Sequence, residues 1–318
     1  MKPTHDAVVS RRRFIAAAGL ATSAVWFIPR RLFAADESPV TVIRTAAATA
    51  KITVQKLRGG ISVLEGSGGN IAVLPGNDGK LLVDAGITAS RPGITQALSA
   101  ISSAPIKRLI NTHWHFDHTD GNEWLHSEGA EITAHENTRK HLSTTTRVDA
   151  WNFTFPPAPN GALPTVVITK DRKIHHNGTT LALDYYGPCH TDSDISVYFT
   201  DADVLHVGDT WWNGYFPFID YNTGGSIDGM IRAANANVAR VSDKTIIIPG
   251  HGPVGDKAQL VAFRDMLVAV REQVASLKKE GKSLDETIAA RPTAPYDEKW
   301  GGFVIDGKTF ATLVYAGV

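Results

Sequence analysis

Between Thr112 and His118 the chain reads Thr-His-Trp-His-Phe-Asp-His. Three imidazoles and one carboxylate therefore fall within the six positions from His113 to His118. Folding alone does not call for that density. Metal binding does, because imidazole suits zinc, and a neighbouring carboxylate suits zinc, iron or manganese. Residues two apart on an extended segment face the same side. His113, His115 and Asp117 thus share a face, and His118 needs a turn to join them. Asp117, Thr119, Asp120 and Gly121 are turn formers at that point. The strand-like run Ile106–Ile110 comes just before. The cluster is expected on a loop leaving a strand end, where a layered fold builds its sites.

Further metal-binding residue types lie downstream. His190 sits in Gly187-Pro-Cys-His-Thr-Asp-Ser-Asp194, Asp209 in His206-Val-Gly-Asp-Thr210, and His251 in Ile248-Pro-Gly-His-Gly-Pro253. Each follows or ends a short run of β-formers, Thr180–Tyr185, Val204–Val207 and Thr245–Ile248, and each is flanked by Gly or Pro. Three separate strand ends would deliver one ligand each to the same rim. Scattered surface histidines would not show this order.

The set HxHxDH, then His, then Asp, then His resembles the metallo-β-lactamase superfamily of metallohydrolases. The resemblance runs from about Lys51 to about Gln273. It includes a fifth motif, Leu81-Leu-Val-Asp-Ala-Gly86, whose Asp84 would support the metal loop from behind. It implies an α/β fold, a four-layer αββα sandwich with a dinuclear site at one edge between the sheets. By the same resemblance His113, His115 and His190 hold one metal, and Asp117, His118 and His251 hold the other. Asp209 bridges them. Two zinc ions are implied, with iron or manganese suited to the same donors. Such a pair lowers the pKa of a shared water toward neutrality and polarises an acyl or phosphoryl oxygen. Asp117 would orient that water and take its proton, so no serine or cysteine nucleophile is assigned. True β-lactamases of the superfamily usually carry Cys or Ser in place of the bridging aspartate. Asp209 therefore argues against dedicated β-lactam hydrolysis.

The formal net charge is zero, which offers no electrostatic case for nucleic acid or an anionic membrane. The single cysteine, Cys189, excludes an intramolecular disulfide. It neighbours His190 on an extended segment and so should face the other way, as a packed, inert thiol. Thr191, Asp192 and Asp194 are either supports of His190 or ordinary loop hydrogen-bonders. His126, His135, His141, His175, His176 and His206 have no partner motif and read as surface or core residues.

Residues 1–35 read as an export signal. Ser10-Arg-Arg-Arg-Phe-Ile15 resembles a twin-arginine motif, and the apolar stretch Phe14–Ile28 is short for a membrane span. Cleavage near Ala34 or Ala35 would leave a periplasmic or secreted protein. Its only membrane-side partner would then be the export machinery. His5 falls in this segment.

Residues 36–318 are expected as one catalytic domain. Strands are expected at 51–56, 61–65, 70–75, 80–84, 106–110, 131–133, 165–169, 172–175, 179–185, 195–200, 204–207 and 245–248. Helices are expected at 92–102, 121–128, 135–145, 226–238, 256–280 and 283–290. The stretch 147–164 is rich in proline and aromatics without periodicity and reads as an ordered substrate flap, and 300–318 as a tail packing back on the body. Phe155, Trp212, Tyr215, Phe216, Phe218 and Tyr221 also crowd the motif loops, as pocket wall or as core, and Trp114, Phe116, Trp151, Phe153 and Trp211 are the expected walls of an aromatic pocket. No Lys or Arg lies in the motif loops apart from Arg147 at the flap edge. An anionic phosphate substrate would call for such a clamp. The expected reaction is metal-dependent hydrolysis of a small ester, lactone, thioester or amide. β-Lactam hydrolysis is the alternative, and a diiron redox protein or a phosphodiesterase comes behind both.

Overall fold

The computed structural model describes residues 38–318, so the export segment expected at 1–35 lies outside the described residues. Two sheets form the middle of the molecule. The first runs in the order β1 (Thr53–Lys56), β2 (Ser62–Glu65), β3 (Ile71–Leu74), β4 (Lys80–Val83), β5 (Ile106–Ile110), β6 (Glu131–His135) and, crossing over, β9 (Val166–Ile168). Its first four strands pair antiparallel, and β4, β5, β6 and β9 pair parallel. Between β6 and β9 the chain forms a small antiparallel ribbon of β7 (Thr146–Val148) and β8 (Phe153–Phe155). The second sheet is β10 (Arg172–His176), β11 (Thr179–Tyr185), β12 (Ile195–Phe199), β13 (Val204–His206) and β14 (Ile246–Ile248). Only its last pairing is parallel.

Side-chain alternation explains the layering. On β4, Leu81 and Val83 join Ile110, Leu183, Val197 and Phe199 in an apolar layer between the sheets. Leu82, one residue out of phase, joins Ile94, Leu98 and Leu125 under the helices Arg91–Ile101 and Asn122–Ser127. A strand buried on both faces reads as a continuous apolar run, as Leu81-Leu-Val83 does. The outer face of the second sheet is covered by Ile227–Arg240, Lys257–Lys279 and Gly307–Gly317, with Phe263, Met266 and Phe310 buried there. The result is the expected αββα order. Asp256 and Gln259 start the long helix with a reciprocal capping box.

Two details depart from the sequence expectations, and a third meets them. A helix at Pro39–Ala47, capped by the Ser38 hydroxyl, was not anticipated. His135 ends β6 and caps the next helix, Glu136–Ser143, rather than lying inside it. Phe116–Thr119 forms a single helical turn, which is the turn that brings His118 round.

Candidate metal centre

The motif loops meet where the ends of β4, β5, β13 and β14 face one another. Backbone and side-chain bonds tie the two sheets together at this edge. Asn70 N–H donates to Gly250 O, His206 donates to Asn70 O, and Ile195 N–H donates to Thr112 O. Around them the structure gathers two groups of ligand atoms. One is His113, His115, His190 and Asp209, the other Asp117, His118 and His251, with the atoms of each group within 4.8 Å of one another. Asp209 reaches both groups. Its Oδ1 lies 3.1 Å from His118 Nε2, and its Oδ2 lies 3.3 Å from His190 Nε2 and 3.4 Å from His251 Nε2.

The imidazoles are held from behind. His113 Nδ1 meets the Thr112 hydroxyl at 3.0 Å, and that hydroxyl donates to Asp84 Oδ2. His115 Nε2 meets Asp220 Oδ2 at 3.0 Å, His118 Nδ1 meets Asp84 Oδ2 at 2.8 Å, and His190 Nδ1 meets Phe218 O at 2.8 Å. An acceptor at one ring nitrogen fixes the proton there and leaves a lone pair on the other. Those other nitrogens converge. His190 Nε2 and His115 Nδ1 are 2.9 Å apart. His113 Nε2 is buried without a hydrogen-bond partner, and His118 Nε2 and Asp209 Oδ1, though 3.1 Å apart, form no well-directed hydrogen bond. Buried polar atoms left unpaired are costly. Divalent cations are the partners that such a nitrogen and oxygen donor set fits.

Charge follows the same logic. Burial, then His118, pushes His113 well below its ordinary value, while Asp209 opposes them. Burial would lower His118 too, but Asp209, Asp117 and Asp84 raise it well above the usual range. Burial would raise Asp209, yet His251, His118, His190 and His113 hold it well below a normal carboxyl. His251 is lifted to about 9 because Asp209 and Asp117 outweigh its burial.

A family model described as the metallo-beta-lactamase superfamily matches residues 64–255, more than half of the chain. The chain belongs to the metallo-beta-lactamase superfamily. It is 24% identical over 174 residues to a hydroxyacylglutathione hydrolase of a Polaromonas species. It is 25% identical over 204 residues to the cytoplasmic isozyme of hydroxyacylglutathione hydrolase from Saccharomyces cerevisiae. These matches cover 54% and 62% of this chain, and 58% and 65% of the two relatives. The chain thus spans less than two thirds of the length of the curated relatives it matches. Among solved structures it resembles a stereoselective inverting sec-alkylsulfatase from Pseudomonas sp., with TM-score 0.62, 16% identity and coverage of 90% of this chain and 54% of that one. It also resembles a metallo-beta-lactamase from Pontibacter korlensis, with TM-score 0.55, 19% identity and coverage of 69% and 99%. At such identity the likeness is one of fold.

In this superfamily member a cavity opens directly over the metal-binding groups. Its floor includes His115, Asp117, His190, Asp209 and His251. Of the expected aromatic walls, Phe116 and Trp151 line it. Trp114, Phe153 and Trp211 do not. Trp114 is buried with its indole N–H on Thr223, Trp211 is fully buried in the core, and Phe153 packs on Phe155. Their places are taken by Trp212, Tyr215, Phe218 and Phe303. Trp151 stacks on Phe218 at 4.8 Å between centroids, so the expected flap 147–164 leans on the cavity. Its carbonyl also accepts from Ser38, which joins it to the unanticipated first helix.

Asp194 does not touch the His190 ring. Its Oδ2 accepts Thr191 N–H at 2.6 Å, the Thr191 hydroxyl at 3.0 Å and the Cys189 thiol at 3.3 Å, and so shapes the loop that carries His190. Asp192 accepts from His141 instead. Cys189 is fully buried, and burial pushes its thiol pKa well up. Cys189→Ser should keep the bond to Asp194 and leave the metal content unchanged by elemental analysis. Loss of one metal equivalent would make the thiol a ligand.

Metal binding must displace the protons on His118 and His251, so affinity should fall on acidification by about tenfold per pH unit for each proton displaced. Chelator competition between about pH 8 and pH 7 measures this. A flat profile would show rings already neutral. In chelator-stripped protein the sign reverses. The His251 contribution to stability is fully present below about 6.5 and is lost as pH rises through about 9.

Proposed function

We propose that this chain is a dinuclear zinc hydrolase of a small acyl compound, an ester, thioester, lactone or amide, and that it acts after export through its Ser10–Ile15 segment. The observation that carries the reading is Asp209. One buried carboxylate within 3.1–3.4 Å of imidazoles from both groups favours two cations held side by side beneath a cavity. When bound, two such cations acidify a water and polarise the scissile carbonyl.

The chain's own residues supply the rest. Asp117 is the more accessible carboxylate of the cluster, its side chain 14% exposed against 2% for Asp209. It faces the cavity and orients the attacking water, and it holds the proton that the water releases. Asp84, Asp220 and the Phe218 carbonyl keep the imidazoles in the tautomers that present lone pairs inward. Trp151, Trp212, Tyr215 and Phe218 hold an apolar acyl group and exclude bulk water. Among the described residues no Lys or Arg lines the cavity, which favours a neutral scissile group over a phosphate.

The test is a substrate panel on zinc-loaded protein, comprising acyl thioesters, aryl esters, lactones, a chromogenic cephalosporin and a phosphodiester. At least one uncharged acyl substrate should reach kcat/KM of about 10⁴ M⁻¹s⁻¹ or more. The cephalosporin and the phosphodiester should fall orders of magnitude below it. A cephalosporin that leads the panel would replace this reading with that of a β-lactamase.

A further inference from the structure

Glu65 stands apart from every other group on the cavity wall. It ends β2, a strand whose other residues are fully buried. Its Oε1 is buried without a hydrogen-bond partner. Its Oε2 has one donor, the Thr53 hydroxyl, at a long 3.4 Å. Burial raises the carboxyl pKa, and among the described residues only that hydroxyl opposes the shift. A carboxylate desolvated in this way and left short of donors is unfavourable to folding. The same cavity is lined by the apolar Pro39, Ile43, Phe303 and Val304, and by Tyr215, whose hydroxyl pKa is raised by burial and by the Glu65 charge.

Position adds to the case. Gly68 lies three positions after Glu65, and a Cβ built on Gly68 would lie 2.7 Å from Asp117 Cβ. Three residues of chain span at most about 11 Å. Glu65 therefore lies within one small substrate's length of the metal-binding groups, on the same cavity. A ligand that carries a donor at one end and an apolar stem would satisfy the carboxylate and fill the wall together. A protonated amine supplies the strongest such donor, because a charge-assisted hydrogen bond exceeds a neutral one.

We propose that Glu65 anchors an ammonium group at the non-reacting end of the substrate. The cavity would then take an acyl compound whose apolar stem ends in a primary or secondary amine. The reacting end rests on the hydrolase reading above; the ammonium subsite rests on Glu65 and the cavity.

The experiment pairs two ligands that differ only at one end. Zinc-loaded protein is titrated by calorimetry with 4-phenylbutylammonium and with 4-phenylbutanol at about pH 7.5, where the amine is charged. The ammonium should bind about tenfold tighter or more, and Glu65→Gln should bring the ratio close to one. Equal affinities in the unaltered protein, or a ratio that survives Glu65→Gln, would overturn the subsite. The unaltered protein decides the first of these even where the variant fails to fold. The 4-nitrophenyl esters of hexanoate and 6-aminohexanoate separate the two proposals. Glu65-dependent ammonium binding with neither ester cleaved would keep the subsite and remove ester hydrolysis. Cleavage of both esters at equal kcat/KM, with no ammonium preference in binding, would keep the hydrolase and remove the subsite.

Discussion

Asp209→Ala is expected to reduce bound metal from about two equivalents to one or fewer per chain, and to lower kcat/KM by about a thousandfold. The geometry gives the reason. Among the described residues Asp209 is the one side chain whose two oxygens reach imidazoles of both ligand groups. Its removal leaves two cations that repel each other with no carboxylate between them. Losing several kcal/mol of charge stabilisation, at about 1.4 kcal/mol per tenfold, gives the stated drop in rate. Asp209→Asn separates charge from shape. It keeps the volume and one oxygen, so it should retain more metal than the alanine variant and still lose most turnover. A second test concerns fit alone. A Cβ on Gly250 would collide with Asp209 Oδ1, so Gly250→Ala should mimic Asp209→Ala in metal content without replacing a ligand. Elemental analysis and kcat/KM on the best substrate of the panel measure all three. Two equivalents and an unaltered rate in Asp209→Ala would remove Asp209 from the centre.

Much of the fold was legible because its signals are local. Most strands that carry the motifs are short runs of β-formers with Gly or Pro close behind, and the pleat alone sorts Leu81 and Val83 from Leu82. The helix Pro39–Ala47 was not legible, although Ser38 and Pro39 are start signals. Val40, Thr41, Val42, Ile43 and Thr45 are β-branched and weigh toward strand. The segment gains a helix from its surroundings, by burying Val40 and Ala47 and by the bridge from Ser38 to Trp151 O.

At the site, the ligand types were legible and the walls were not. Trp211 and Trp212 are adjacent, and neighbours on an extended strand face opposite ways. No composition argument says which of the two meets the cavity. The bridge between Trp212 and His251 decides it. Phe303 comes from the tail, fifty-two residues beyond His251, and carries no motif. Asp220 was missed for a similar reason. It sits 105 residues from His115, in a turn where an aspartate is ordinary. Only the folded chain shows that its Oδ2 takes both the imidazole and the Thr223 hydroxyl.

Asp84 yields the other large expected effect, and it tests whether backbone strain serves the centre. Its φ is +67°, in the left-handed region, where a non-glycine residue costs about 1 kcal/mol or more. Aspartate tolerates that region better than most residues. Its carboxylate is fully buried and accepts three donors, Thr112 N–H at 2.8 Å, the Thr112 hydroxyl at 2.8 Å and His118 Nδ1 at 2.8 Å. One side chain thus sets the loop before His113 and the tautomer of His118. Asp84→Asn keeps the backbone tolerance and the shape, but it turns an amide donor toward groups that already donate. Metal affinity should fall about 10–100-fold, the usual effect of losing an outer partner of a ligating imidazole. Asp84→Gly relieves the backbone and deletes all three bonds. If strain were the costly element, the glycine variant would be the more stable of the two and would bind metal as tightly as the unaltered protein. The expected result is that it loses at least as much metal affinity as Asp84→Asn, because three buried donors at about 1–3 kcal/mol each outweigh the relief. Chelator competition and thermal melting with and without zinc separate these outcomes, and metal affinity unchanged in both variants would show that His118 is oriented by something other than Asp84.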